Sequence, residues 1–292
     1  MNSFKNIAFL CNDKIGSGEN LRKLYDHLQN RNYNLLLDTS CQRFIKDSNA
    51  TFISVATVVE CDLAIVIGGD GTLLSAARTL ADKHVPLVGI NLGRLGFLVD
   101  ISPDDMLQYI DAILEGHYIA EERFLLKARI SNNGVISKEE IAFNDIVVNN
   151  YIDARLIEFS VFVNDGFVSH ERADGMIIAT PTGSTAYALS SGGPILHPSL
   201  SAMTLVPICP HALNHRPLVV DANSKVSIEM DPRCETRAQV SFDGQFSYEL
   251  NTGDKVDILR HTNRVKLLHP VGYDFFDILR VKLHWGHRTD YE

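Results

Sequence analysis

The spacing of apolar residues changes once along the chain, near residue 122, and that change limits the fold more than any other feature of the sequence. Upstream, short apolar runs alternate with helical spacing. KNIAFL (5–10) is followed by Leu21, Leu24, Tyr25 and Leu28 on one helical face, and then by YNLLL (33–37). DLAIVI (62–67) has the character of a buried parallel strand; TLLSAARTLAD (72–82) predicts a helix and PLVGIN (86–91) another strand. Ser102-Pro103-Asp104-Asp105 predicts a helix start, with a serine N-cap and proline at the first position, and Met106, Ile110, Ile113 and Leu114 form its buried side.

Downstream the period falls to two. Ile157, Phe159, Val161 and Val163 alternate strictly, and KVSIEM, AQVSF, KVDIL and RVKLL continue the style. Asn133-Gly134, Asn164-Asp165-Gly166 and Asp243-Gly244 sit between such runs as hairpin turns. One short helix interrupts at about 184–191, and the final residues return to helical spacing. The sequence therefore predicts an α/β domain over 1–122, with 271–292 packing back on it, and a second, all-β domain over 123–270.

Composition removes several function classes. Of 292 residues, 45% are hydrophobic and 22% charged, the balance of a chain that builds cores without staples. With Lys+Arg 27 against Asp+Glu 36 the net charge is −9, and no basic stripe offsets it, so nucleic acid is not an expected partner. Five cysteines without a C-x-x-C pair predict reduced thiols in a cytoplasmic protein. The apolar run at the N-terminus is too short for a targeting signal or a membrane span.

Three segments carry chemistry. Gly68-Gly69-Asp70-Gly71 falls between a parallel strand and a helix, where amides of a helix N-terminus favour phosphate. A carboxylate among those glycines repels polyphosphate unless it serves a metal or a hydroxyl about to be phosphorylated. The plainer reading is a tight turn whose aspartate caps the helix. Asn91-Leu92-Gly93-Arg94-Leu95-Gly96-Phe97-Leu98 follows the next strand, so a second glycine loop lies at the same sheet edge, with Arg94 available to phosphate oxygens or with Leu95, Phe97 and Leu98 packed under the sheet. In the third segment the strand GMIIAT leads into Pro181-Thr182-Gly183-Ser184-Thr185-Ala186-Tyr187, a corner of small hydroxyl residues. Its helix would be capped by Ser184 or Thr185, and Tyr187 offers a flat face to a base.

Asn144-Asp145 reads as a turn on spacing alone. His211 and His215 are four apart, but prolines at 210 and 217 leave little room for a helix, so no protein metal site is expected. His284 and His287 flank the single tryptophan and predict a C-terminal surface or interface.

Taken in order, GGDG at 68, NLGRLGFL at 91, ND at 144 and DGMIIATPTGSTAYALSSGGP at 174 resemble the ATP-dependent NAD kinases over essentially the whole chain. The resemblance implies a Rossmann-like N-terminal domain, a β-sandwich-like C-terminal domain and an active site in the crevice between them. It implies transfer of the ATP γ-phosphoryl group to NAD, with Mg²⁺ or another divalent ion accompanying ATP. Asp70 matches the catalytic aspartate beside the ribose 2′-hydroxyl, with Gly68, Gly69 and Arg94 toward phosphate and Gly71 toward substrate. Asn144, Asp145 and Asp174 match dinucleotide-binding positions, Thr185, Ala186 and Tyr187 the adenine side, and Arg172 a variable position. Members with arginine there tend to prefer NAD over NADH, which requires the guanidinium to anchor an acid or narrow the pocket. The family usually has Asn-Glu where this chain has Asn144-Asp145, one methylene shorter. A homotetramer or homodimer is also implied, with the neighbour's 206–211 segment completing the nicotinamide pocket. Two other readings are a lipid or sugar kinase of the diacylglycerol type, which shares GGDG, and a dinucleotide-binding regulator without turnover.

Overall fold

The computed structural model describes residues 4–12, 17–54, 61–93, 96–151, 155–212, 214–233 and 236–285. Arg94, Leu95, Cys234 and His287 lie outside them. The chain divides into two compact units, 1–122 with 265–292, and 123–264.

In the first unit β1 (Asn6–Cys11), α1 (Ser17–Gln29), β2 (Asn34–Asp38), β3 (Thr51–Ile53), β4 (Leu63–Ile67), α2 (Asp70–Leu80), β5 (Leu87–Ile90) and α3 (Met106–Leu114) follow one another. The strands pair in parallel in the order β3-β2-β1-β4-β5. β1 and β4 are therefore neighbours at the point where the order reverses, and ligands of open α/β sheets bind beyond the carboxyl ends of such a pair. β4 is buried throughout, which accounts for its unbroken apolar run. Leu21, Leu24, Tyr25 and Leu28 of α1 and Met106, Ile110, Ile113 and Leu114 of α3 are buried as their spacing predicts.

One helix start differs from the sequence expectation. α3 begins at Met106, and Ser102 instead closes a turn, its Oγ accepting from Asp105 N at 3.3 Å and donating to Asp105 Oδ2 at 2.9 Å. The serine satisfies the right amide, but the intervening residues stay a turn.

The second unit is built from β6 (Ile119–Asn132), which enters it from the first, β7 (Val135–Ala142), β8 (Asp145–Asn150), β9 (Ile157–Val163), β10 (Gly166–Ala173), β11 (Gly175–Ala179), α4 (Tyr187–Ser190), β12 (Ala202–Ile208), β13 (Leu218–Asp221), β14 (Val226–Met230), β15 (Ala238–Phe242), β16 (Phe246–Leu250) and β17 (Lys255–His269). One sheet runs β13-β12-β11-β8-β15-β16, and the other strands follow β7-β6-β17-β14-β9-β10. Ile146, Val148, Val240 and Phe242 from the first meet Phe159, Val161, Ile228 and Ile258 from the second in one apolar core, the arrangement of a sandwich. The three expected hairpins form, with φ of 48° and 80° at Asn133 and Gly134, 50° and 64° at Asn164 and Asp165, and 51° and 62° at Asp243 and Gly244. These left-handed pairs explain the Asn, Asp and Gly at the turns.

The return to the first unit begins at Val265 rather than 271, because KVDIL and RVKLL are a single strand. Leu267 pairs in parallel with Leu87, and α5 (Phe275–Leu283) follows, capped by the Asp274 side chain on Phe276 N. Among the described residues no helix is long and apolar enough to cross a membrane.

Candidate active site

In the first unit the Gly68–Gly71 loop closes β4 and starts α2. Asp70 is the first residue of the helix, not its cap. Gly69 occupies the cap position without a side-chain bond, and the Asp70 carboxylate reaches the second glycine loop instead. Its Oδ2 accepts from Phe97 N at 3.0 Å, and its Oδ1 from Leu98 N at 3.0 Å and Val99 N at 3.3 Å. A Cβ on Gly96 would overlap the Asp70 carboxylate, so this loop can wrap the acid only with glycine there. A carboxylate offers about four acceptor positions; three are used, and the one left on Oδ2 is held in a fixed direction.

The same geometry explains the other glycines. A Cβ on Gly68 would overlap Thr72 Oγ1, which accepts from Asn12 Nδ2 at 2.8 Å and so ties the end of β1 to α2. A Cβ on Gly69 would meet nothing within 4 Å, and Gly71 is exposed beside it. The N-terminus of α2, with its partial positive charge, is thus open to an anion. Leu98 is buried and Phe97 half-buried, as the packing alternative for this loop expected, and the loop's backbone serves Asp70 as well.

In the second unit a cavity of about 350 Å³ opens on the face of β8 and β15 turned away from the sandwich core. Asp145 and Asn149 line it from β8, Gln239, Ser241 and Asp243 from the β15 side, and Ala186 and Tyr187 close one wall. Asn144 also lines it; its Oδ1 and the Oδ1 of Asn149 are buried without a protein hydrogen bond, two acceptors left for a ligand. Asp243 accepts from the backbone N–H of Phe143, Asn144 and Asp145 at 2.7 to 3.2 Å, fixing the Asn144-Asp145 bend. Burial, followed by the Asp243 charge, pushes the Asp145 carboxyl up to about 7. Asp145 thus opens a strand rather than sitting in a turn.

The hydroxyl-rich corner is mostly self-satisfied. Thr180 Oγ1 donates to Phe143 O at 2.8 Å and accepts from Gly183 N; Ser184 Oγ donates to Pro181 O at 2.6 Å and accepts from Leu196 N. Neither Ser184 nor Thr185 caps a helix: residues 183–185 form a 3₁₀ turn, α4 starts after Ala186, and Thr185 Oγ1 donates to Thr182 O at 3.2 Å. These hydroxyls shape the corner, and Tyr187, 46% exposed, lines the cavity. Burial raises the Tyr187 phenol, with smaller contributions from Cys209, Asp174 and Asp145.

Four residues proposed from sequence, Asn144, Asp145, Ala186 and Tyr187, thus share one cavity. Asp174 is nearby, 3.4 Å from Asn150 Nδ2, but does not line it. Arg172 does not line it either; its exposed side chain faces Glu158 at 3.5 Å. His215 pairs with buried Glu171 at 3.1 Å, a partner its spacing did not supply. Among the described residues the three-group cluster able to face one cation is Glu158, His170 and Asp231, and arginines 172 and 233 already pair with its carboxylates. Sequence reasoning missed Asn149, Gln239, Ser241 and Asp243. The signal for Asn149, Gln239 and Ser241 was polar residues on otherwise apolar strands, and Asp243 was read only as part of a hairpin turn.

Comparison with known proteins agrees over both units. Residues 7–118 match the ATP-NAD kinase N-terminal domain and residues 143–269 the ATP-NAD kinase C-terminal domain. A protein of Laribacter hongkongensis named NAD kinase is 46% identical over 287 residues, 98% of each chain. The fold is that of yeast NADH kinase, solved with NADH, at a TM-score of 0.90, 23% identity and coverage of 100% of this chain and 91% of the other. An NAD kinase from Archaeoglobus fulgidus, solved with ATP, superposes with a TM-score of 0.73 at 25% identity, covering 95% of this chain and 98% of that one.

Proposed function

Because this chain belongs to the NAD kinase family, we propose that it transfers the γ-phosphoryl group of ATP to the 2′-hydroxyl of the adenosine ribose of NAD, giving NADP. The observation that carries the reading is the Asp70 carboxylate, fixed by three amides with one acceptor position left. Phosphoryl transfer asks a protein chiefly for positioning and charge stabilisation. Asp70 accepts the 2′-hydroxyl proton, so the ribose oxygen gains nucleophilic character as it attacks the γ-phosphorus and the bond to the β-phosphate oxygen breaks.

The open N-terminus of α2, with Gly68, Gly69 and Gly71, receives phosphate oxygens, and Arg94 is assigned to the same anion. The adenosine half of NAD is assigned to the β8–β15 cavity. Tyr187 stacks on the base, Ala186 and Thr185 border it, and Asn144, Asp145 and Asp174 meet the dinucleotide's hydroxyls and amide groups. A divalent ion enters with ATP. Magnesium is held mostly by phosphate and water, so an ion that ATP brings leaves the one free position on Asp70 to the ribose hydroxyl. That ion neutralises charge on the transferring group. The protein is assigned to the cytoplasm as a homotetramer or homodimer, on the family resemblance and its reduced-thiol composition.

The test is direct. Purified protein with MgATP and NAD should form NADP, and diacylglycerol in place of NAD should give no phosphorylated product. Absence of NADP, with the dinucleotide still bound, would leave a regulator instead.

A further inference from the structure

Beyond the Asp70 loop, the next residue in the chain is also tied down. Asp100 follows Val99, the last of the three residues whose amides hold Asp70, and its Oδ2 lies 2.8 Å from His269 Nδ1. His269 is 1% exposed. Its Nε2 lies 3.4 Å from Glu121 Oε2, within ion-pair range though outside good hydrogen-bond geometry, and its ring stacks on Tyr273 with centroids 3.8 Å apart. The ring thus faces two carboxylates and one phenol. Burial works against a charge on His269, but the hydrogen bond to Asp100 and the proximity of Glu121 outweigh it, and its pKa rises above the usual value.

The same returning segment reaches the loop a second time, with Lys282 Nζ 5.6 Å above the Phe97 ring. Residues 96–100 are therefore held at one end by the Asp70 carboxylate and at the other by a histidine that lies 169 residues further along the chain.

We propose that His269 is a positioning residue for phosphoryl transfer, which by anchoring Asp100 keeps the Phe97–Val99 amides on the Asp70 carboxylate. The proposal rests on the kinase reading above for its effect on rate, but not for the anchoring itself. Without the anchor, Asp100 is a buried carboxylate lacking its partner, and the loop relaxes to solvate it. Asp70 then loses the fixed direction of its free acceptor. Since His269 touches neither substrate, turnover should suffer and affinity should not.

Three substitutions separate anchoring from general stability. In His269→Asn the amide nitrogen can occupy the Nδ1 position and still donate to Asp100; in His269→Gln it projects toward Glu121; in His269→Phe the stack on Tyr273 remains and both donors are lost. The Gln and Phe variants should lower kcat about tenfold to a hundredfold, the usual result of small misplacement, while KM for NAD and ATP stays within about threefold. The Asn variant should recover most of kcat. Amide hydrogen exchange at Phe97, Leu98 and Val99 should accelerate in the Gln and Phe variants while amides of α5 keep their protection. If His269→Phe does not fold, the Asn and Gln pair decides. Equal kcat and equal exchange in that pair overturn the proposal, as does a loss in which KM rises with falling kcat. If the wild type forms no NADP, the kinase reading fails, and the exchange comparison still decides whether His269 anchors the loop.

Discussion

The two units hold their polar groups by opposite means. In the first, backbone does the holding: three consecutive amides converge on Asp70, and glycines at 68 and 96 are required because side chains would occupy the space. In the second, register does it. Asn149 lies opposite Gln239 across β8 and β15, and Val147 opposite Ser241, so the strand alternation that sends Ile146, Val148, Val240 and Phe242 into the core sends their neighbours to the cavity. An amide-held group depends on local loop geometry, whereas a register-held cavity depends on the whole sheet. Changing a residue should therefore act sharply on turnover in the first unit and on affinity or stability in the second.

The largest expected effect tests the first half of that contrast. Asp70→Asn replaces one acceptor oxygen by an NH₂ that faces backbone amides, and kcat should fall by about 10² to 10⁴, with NAD affinity changed far less. Near-normal turnover in the folded variant would remove Asp70 from the chemistry.

Asp145→Asn probes the cost of the register-held acid. A carboxyl raised in the folded state from 3.8 to about 7 destabilises that state once ionised, so folding weakens as pH rises through this window. The amide removes that charge. Denaturation at pH 8 should show a gain of up to about 4 kcal/mol, the full value of a three-unit shift, which fades below pH 4 where both forms are neutral. A gain that does not depend on pH would contradict the origin assigned to it.

Tyr187→Ala should weaken NAD binding by roughly 1 to 3 kcal/mol, by analogy with bases stacked on aromatic rings, and leave ATP affinity alone. Calorimetry showing unaltered NAD binding would make the exposed ring a bystander. The smallest effect belongs to Arg172. Its pairing with Glu158 is the kind of acid-anchoring that NAD preference would require, yet both groups are partly exposed. Arg172→Gly should narrow the ratio of kcat/KM for NAD over NADH by no more than about 1 kcal/mol, the value of an exposed pair. An unchanged ratio makes it a surface charge, and a wild type that prefers NADH reverses the argument.

The uneven legibility of the site follows from the same contrast. GGDG and the Gly96 loop announced themselves because a backbone that must pass close to another group needs glycine, and glycine is visible in a sequence. Tyr187 stood out through the hydroxyl-rich corner, although Ser184 proved to be structural. Gln239 and Ser241 did not stand out, because a polar residue on an alternating strand looks the same whether it faces water or a ligand.

The sequence by itself determined the two periods, the three hairpins, the buried faces of α1 and α3, and the family, since each is set by local spacing or by motifs contiguous in the chain. Tertiary structure alone decided that Asp70 would turn from its own helix to the amides of residues 97–99, that β17 would run unbroken into the first unit, and that His269 would meet Asp100. Those contacts join positions 27 to 169 residues apart. Which distant group satisfies a buried carboxylate depends on strand order and packing, and local spacing carries no record of either.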